Sequence, residues 1–360
     1  MSSDFSGGSP HRIPHHPTKV KPEWLTQCMR DRGVLPVGKV TSVVAHVGNN
    51  WNVATTARLI LEYDASAPND VPKSLFIKIR NQKDQFANLM PGEVAFYGEQ
   101  IVDELPLPTI YYASSENDGD LTCILMQDLS DTHSQTQWPL PPTLLQCEDA
   151  VCALAHLHGH WWTHDLSELQ TAGIDLKWRT KHFSDTVKSF MPKFVDLLGD
   201  RLSSGRQEII RSVCAKLPEL LWQRLFSGLP ITRVHGDPHY WNVLFNNDPA
   251  RRECIFFDWE DWHYDPGAFD LAYMIALHWF PERRSRYEKH LLRLYFEKLS
   301  KHISAPYCWD QLWDDYRLGH LHNFVVPLFQ VEMGIGPAAW WDHIERLFLA
   351  YEDLECADLL

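Results

Sequence analysis

The stretch Val234-His235-Gly236-Asp237-Pro238-His239-Tyr240-Trp241-Asn242-Val243-Leu244-Phe245 and the run Ile255-Phe256-Phe257-Asp258-Trp259-Glu260 set an Asp, an Asn and a second Asp in two short loops bordered by apolar, strand-like residues. That layout suits phosphoryl transfer. The carboxylate of Asp237 can accept the proton of an attacking hydroxyl. Asn242, five positions on, and Asp258, at the end of the next strand, offer hard oxygen ligands for a Mg²⁺ ion held against a triphosphate.

The spacing from His235 to Asn242 matches a protein-kinase catalytic loop, with Gly236 where kinases carry the Arg of H-R-D. The compound pattern continues through an apolar strand and an acidic D-W-E to Asp265-Pro266-Gly267-Ala268-Phe269-Asp270-Leu271-Ala272-Tyr273. As a whole it resembles the aminoglycoside phosphotransferase and choline kinase superfamily of small-molecule kinases, and within it the ecdysteroid-kinase-like branch. The resemblance implies an α+β, two-lobed protein-kinase-like fold with a small β-rich N-lobe and a larger helical C-lobe. It implies ATP as phosphoryl donor, with GTP left open, and Mg²⁺ as its companion. Asp237 is then the catalytic base, and Asn242 and Asp258 are the metal ligands. His235 and Asp270 brace the loop, while Glu260 faces metal, substrate or solvent. A helix N-cap is an equally good reading of Asp270 alone, and the two roles can coexist.

Composition agrees. The chain has 360 residues, 44% of them hydrophobic and 22% charged, enough for more than one core. A formal net charge of -14 argues against nucleic acid and anionic membranes as partners, since both select basic surfaces. Eight cysteines are scattered without a C-x-x-C pair, which points to buried, reduced thiols and a cytoplasmic protein. No apolar run approaches the ~18 residues of a membrane span, and the first residues do not read as a signal peptide. The oligomeric state, monomer or homodimer, has no signature.

Residues 1–20 read as a flexible tail, with His11, His15 and His16 a weak metal candidate. A short helix is expected over 22–35, starting at Pro22. Val40 to Val47 and Thr55 to Tyr63 read as strands joined by the turn Gly48-Asn49-Asn50-Trp51-Asn52. In kinase-like folds such a turn covers the nucleotide phosphates, although Gly48 is its sole glycine; a plain hairpin is an equal reading. Ser74 to Arg80 is a strand with Lys78 at its centre, and a buried ammonium needs an anion. The resemblance assigns Lys78 to the α- and β-phosphates and Glu93 as its helical partner. It also places Met126, Gln127 and Asp128, at the end of the strand Leu121 to Met126, where backbone groups read an adenine edge; an ordinary exit from a strand is the alternative.

The N-lobe is thus expected over 21–130 and the C-lobe over 131–360, with helical periodicity from Leu144 and across 178–203, 206–226, 285–301, 309–333 and 338–356. His156 and His160 lie four apart and could share a helix face, but nothing supplies a third metal ligand at family spacing. The expected function is ATP-dependent phosphorylation of a hydroxyl on a small metabolite, natural product or antibiotic. The rival is a kinase-like nucleotide- or ligand-binding protein without turnover. A protein Ser/Thr kinase is disfavoured, because H-G-D replaces H-R-D and no D-F-G or A-P-E follows.

Overall fold

The computed structural model describes residues 12–48, 54–81, 92–98, 104–116, 119–304 and 306–360. The chain forms two compact units, Met1–Ser134 and Gln135–Leu360. Residues 49–52 of the expected turn, Pro91, and His11 of the expected tail lie outside the described residues.

The first unit is built on one antiparallel sheet. Its strands β1 (Val40–Val47), β2 (Ala54–Tyr63), β3 (Ser74–Arg80), β4 (Ile110–Glu116) and β5 (Leu121–Gln127) lie in the order β1-β2-β3-β5-β4. Helix α1 (Pro22–Asp31) starts on a proline, whose missing N–H costs nothing in a first turn, and buries Trp24, Leu25, Cys28 and Met29 along one stripe. That stripe packs on Leu59, Leu61, Leu75, Ile77, Ile79, Cys123 and Leu125 of the sheet. Because successive side chains of a strand face opposite ways, Leu75, Ile77 and Ile79 enter this core while Lys78 is carried on the other face. β3 lies between β2 and β5, so Lys78 sits on a central strand. The short helix α2 (Glu93–Gly98) begins at Glu93.

Two features depart from the sequence reading. Residues 12–20, expected as part of a flexible tail, pack instead: Ile13, Pro17 and Val20 are buried, and the Ile13 N–H donates to Glu116 Oε1 at 2.6 Å. The three apolar side chains supply enough surface to anchor an otherwise polar segment. Strand β4 was not anticipated. Among the described residues it pairs only with β5; it carries an irregularity between Ile110 and Tyr112 and is half-buried along nearly its whole length, so no two-residue alternation marks it.

The second unit is mainly helical. Helices α3 (Leu144–His160), α4 (Leu166–Thr171), α5 (Leu176–Leu198), α6 (Ser204–Leu225), α7 (Ala268–Leu271), α8 (Pro281–Leu299), α9 (Trp309–His322), α10 (Val326–Glu332) and α11 (Pro337–Asp353) surround two pairs of short strands. α3 opens on a capping box in which Thr143 and Gln146 satisfy each other's backbone N–H groups. α6 and α9 are tied by Arg224, whose Nε and Nη2 donate to Asp315 at 2.5 and 2.8 Å, with Tyr307 donating to the same carboxylate at 2.7 Å.

Thr232–Val234 pairs antiparallel with His263–Asp265, and Val243–Asn246 with Cys254–Phe256. One pair of catalytic strands was expected; three-residue strands are too short to leave a periodic signal. The Thr232 hydroxyl donates to the carbonyl of His158 at 2.7 Å, and Thr163 bridges to Ile231, which fixes the strand entering the H-G-D loop to the end of α3. All eight cysteines are free thiols, six of them buried. Among the described residues no helix is long and apolar enough to cross a membrane.

Candidate active site

The loop from His235 to Asn242 leaves one strand pair and enters the other, so its ends are fixed by two ladders. Gly236 sits at φ +84°, and a Cβ there would lie 2.2 Å from the carbonyl oxygen of Asp261. Any other residue, the Arg of a protein-kinase loop included, would have to displace that backbone.

Asp270 holds the loop from below. Its Oδ2 accepts the His235 N–H at 2.7 Å, and its Oδ1 accepts the Gly236 N–H at 3.1 Å. The Oδ2 of buried Asp270 is also met by His158 Nε2 at 3.1 Å, while His158 Nδ1 meets the Tyr295 hydroxyl at 2.8 Å. It therefore caps loop N–H groups rather than the first turn of its own helix.

The His235 ring is fully buried against Trp259, with ring centroids 4.6 Å apart. Its Nε2 lies 3.0 Å from the carbonyl of Phe257, and its Nδ1 accepts the Asp237 N–H at 3.3 Å. One nitrogen faces an acceptor and the other a donor, which fixes a neutral ring protonated on Nε2. Burial lowers its pKa, in keeping with that state.

The Asp237 carboxylate is held at both oxygens. The Tyr273 hydroxyl donates to Oδ1 at 2.6 Å. Asn242 Nδ2 donates to the Asp237 carbonyl at 3.0 Å and to Oδ2 at 3.3 Å, and His239 Nε2 lies 3.4 Å from Oδ2. Burial alone would raise this carboxyl's pKa. The charge and hydrogen bond of His239 and the Tyr273 hydroxyl outweigh burial and hold it well below the carboxylate range. Asp237 is thus ionised and oriented. The same contact raises His239 against its own burial, and burial next to Asp237 drives the Tyr273 hydroxyl well above its usual value.

With Nδ2 of Asn242 spent on Asp237, its Oδ1 is turned toward the other side. Val243 pairs with Phe256, and the Phe257 N–H donates to the Asn242 carbonyl at 3.2 Å. Asp258 therefore follows directly at the same end of the hairpin. Its backbone is left-handed, φ +66°, a conformation that Asp tolerates better than most residues. An amide oxygen and a carboxylate are donor types that suit Mg²⁺, and Asn242 and Asp258 could hold such an ion. No cluster of three His, Cys, Asp or Glu side chains with metal-binding geometry occurs among the described residues. Glu260, half-buried, follows Trp259 in the same turn.

In the first unit Lys78 Nζ donates to Glu93 Oε2 at 2.6 Å, and both side chains are largely buried. The anion required by a buried ammonium is therefore present. The other expected nucleotide contacts are less open. The Gly48 N–H is spent on the Thr56 carbonyl at 3.0 Å, and that of Gln127 on Thr109 at 2.8 Å, so neither is free to meet a phosphate or a base. Met126 is buried within β5. The Asp128 side chain accepts from Arg58 Nε at 2.6 Å and from Ser130, making it a turn and ion-pair residue.

Sequence reasoning missed three participants. His158 lies between the weighed pair: His156 stacks on His302 with centroids 4.7 Å apart, His160 packs on Trp161, and His158 alone reaches Asp270. Tyr273 had a readable signal, since it lies three positions beyond Asp270 on the same helical segment. That segment widens into a π-helix over Ala272–Leu277, a feature common at functional sites. His239 had no signal beyond its place in the loop.

A β-rich unit followed by a helical one carrying an H-G-D loop defines a protein-kinase-like α+β fold. The Plasmodium vivax ethanolamine kinase shares it, with a TM-score of 0.50 and 13% identity over 87% of this chain and 81% of that one. Two further solved structures are similar at 13% identity and a TM-score of 0.48. They are a spectinomycin phosphotransferase in complex with ADP and spectinomycin, covering 94% of this chain and 99% of that one, and a choline/ethanolamine kinase family protein from Mesorhizobium loti, covering 88% and 92%. None of the curated proteins matches the sequence. The model of the phosphotransferase enzyme family matches residues 69–310, more than half of the chain, and the chain belongs to that family.

Proposed function

We propose that the chain is an ATP-dependent phosphotransferase that moves the γ-phosphoryl group to a hydroxyl of a small molecule, a hydroxylated metabolite, natural product or antibiotic. The observation that carries this reading is the treatment of Asp237: ionised, bonded at both oxygens, and set in a loop whose N–H groups are held by Asp270.

In this reading Asp237 accepts a hydrogen bond from the acceptor hydroxyl and takes its proton as the phosphoryl group departs. A carboxylate held this far below its usual pKa is a weak base, so alignment of the nucleophile contributes more than proton abstraction, as a loose transition state allows. Asn242 and Asp258 would hold Mg²⁺, which when bound neutralises charge on the phosphate oxygens. Lys78, kept in place by Glu93, would meet the α- and β-phosphates. The free thiols suit a reducing setting such as the cytoplasm.

The test is release of ADP from Mg-ATP by the full chain against a panel of hydroxyl compounds, with Asp237→Asn as control. Turnover that depends on both acceptor and Asp237 supports the reading. Tight nucleotide binding with no turnover across the panel would replace it with the binding-protein alternative.

A further inference from the structure

The helix that carries Asp270 does not continue regularly. After α7 it widens into the π-helix Ala272–Leu277, and Tyr273, the second residue of that segment, donates to Asp237 Oδ1 at 2.6 Å. One helical segment therefore grips the H-G-D loop twice: Asp270 takes two of its N–H groups and Tyr273 its carboxylate. A π-turn closes across five residues where an α-turn closes across four, so the widening sets the direction of Tyr273 relative to Asp270.

The widened turn is closed by a side chain. In a π ladder each N–H donates to the carbonyl five residues back, which would pair the His278 N–H with the Tyr273 carbonyl. Here the His278 N–H turns to the carbonyl of Ile275, and the Trp279 N–H joins it there at 3.2 Å. The Tyr273 carbonyl is met by the imidazole of His278, with Nδ1 at 2.9 Å. A carbonyl only accepts, so Nδ1 carries the proton. Burial, followed by the neighbouring His343 and His239, pushes the pKa of this ring well down, in keeping with a neutral imidazole of that tautomer. Four rings hold its plane: the centroids of Tyr273 and His343 lie 5.0 Å away, that of Trp241 5.8 Å and that of His239 6.0 Å.

We propose that His278 is a positioning residue of phosphoryl transfer: by donating from Nδ1 to the Tyr273 carbonyl it closes the π-turn and keeps the Tyr273 hydroxyl on Asp237. It acts through Tyr273 and not on the reacting atoms. Its effect on turnover rests on the phosphotransferase reading, whereas its effect on the turn does not.

The test is a double-mutant cycle of His278→Phe and Tyr273→Phe in the full chain, read by thermal melting and by ADP release from Mg-ATP with water and then each alcohol of the panel as acceptor. His278→Phe keeps a ring and loses the donor. It should lower kcat about tenfold, as Tyr273→Phe does, at unchanged KM for ATP, and the double variant should be no slower than either single one. The melting temperature of the double variant should match that of His278→Phe, a few °C below the parent. His278→Asn, whose Nδ2 stands where Nδ1 stood, should keep kcat within about twofold of the parent. Losses that add in the double variant, an unchanged kcat in His278→Phe, or a His278→Asn as slow as His278→Phe would each overturn the proposal. ADP release separates it from the reading beneath. Turnover with additive losses removes His278 and leaves phosphotransfer standing. With no turnover of water or any alcohol the phosphotransferase reading falls, and the melting temperatures decide alone whether His278 holds Tyr273: a match in the double variant upholds the contact, and additive shifts overturn it.

Discussion

Lys78 and Asp237 are both charged groups proposed to act on the same triphosphate chemistry, yet the molecule secures them differently. Lys78 is oriented across a sheet face by an ion pair with Glu93, which opens the six-residue helix α2. Asp237 is fixed by Tyr273, Asn242 and His239 at its carboxylate and, through its loop, by Asp270 and His235. The first arrangement joins a central strand to a short helix. The second is over-determined, since losing one bond leaves the others, and it is the part of a catalytic site where small displacements cost most.

The largest effect that should expose this difference is on turnover. Asp237→Asn keeps the shape and can still accept from Tyr273, but it cannot take a proton. Acceptor-dependent ADP release should fall roughly 10²–10⁴-fold while calorimetry finds nucleotide affinity within about threefold of the parent, because the base faces the acceptor. Near-parental turnover would remove Asp237 from the chemistry.

Acid should break the two units unequally. Burial lowers His320 to about 3 and His322 and His343 to about 4, all in the helical unit. Their folded pKa lies below the ordinary 6.5, so between pH 6.5 and about 4 the unfolded chain binds more protons and stability falls as pH falls. His343 alone accounts for up to roughly 3 kcal/mol across that window. The described histidines of the first unit, His15, His16, His46 and His133, are not buried. Lowering the pH from 7 to about 4.5 should therefore erase hydrogen-exchange protection in α9 and α11 before it does so in β2, β3 and β5. Equal loss in both units would contradict this account.

Asp270→Asn tests the bracing. An amide can accept through one oxygen only, so one of the His235 and Gly236 N–H groups loses its partner in a buried site, at roughly 2–4 kcal/mol. The melting temperature should drop, and turnover should drop further than folding explains, because the loop carrying Asp237 is released.

How legible the two regions were follows the same division. The H-G-D loop, its hairpin and Asp270 lie within one covalent stretch of some forty residues, so spacing alone brings Asp237, Asn242 and Asp258 to a recognisable register. Nothing in spacing reveals His158, which arrives from α3, more than seventy residues upstream of the loop. In the first unit the need of Lys78 for an anion was legible because a lone buried ammonium is costly, while Glu93 as that partner was what the family resemblance implied. The fates of the Gly48 and Gln127 N–H groups were not, since each is decided by a backbone carbonyl, that of Thr56 on β2 or of Thr109 just before β4, that leaves no side-chain trace. Strand β4 was hidden for a related reason, as an edge strand half-buried along nearly its whole length carries no alternation.

Lys78→Met measures how much rests on the ion pair with Glu93. It should lower kcat/KM for ATP roughly 10–100-fold and also destabilise the first unit by about 1–3 kcal/mol, because the buried Glu93 loses the Lys78 cation. Adding Glu93→Gln should restore the melting temperature and leave kcat/KM low. Recovery of both together would mean that Lys78 serves packing and not phosphate.

The smallest effect is reserved for Tyr273→Phe, and it is the sharpest test of over-determination. The variant keeps the ring against His278 and removes only the hydroxyl that donates to Asp237 Oδ1. A hydrogen bond to a charged acceptor typically contributes roughly 1.5–3 kcal/mol, yet Asn242 and His239 still hold Oδ2, so much of the orientation should survive. Turnover should fall about tenfold at unchanged KM for ATP, well short of the Asp237→Asn loss. The melting temperature should fall by a few °C, since one hydrogen bond is lost from a partly buried site. Were the loss as deep as that of Asp237→Asn, the three contacts would have to act as one cooperative unit, with Tyr273 as the donor that sets the other two.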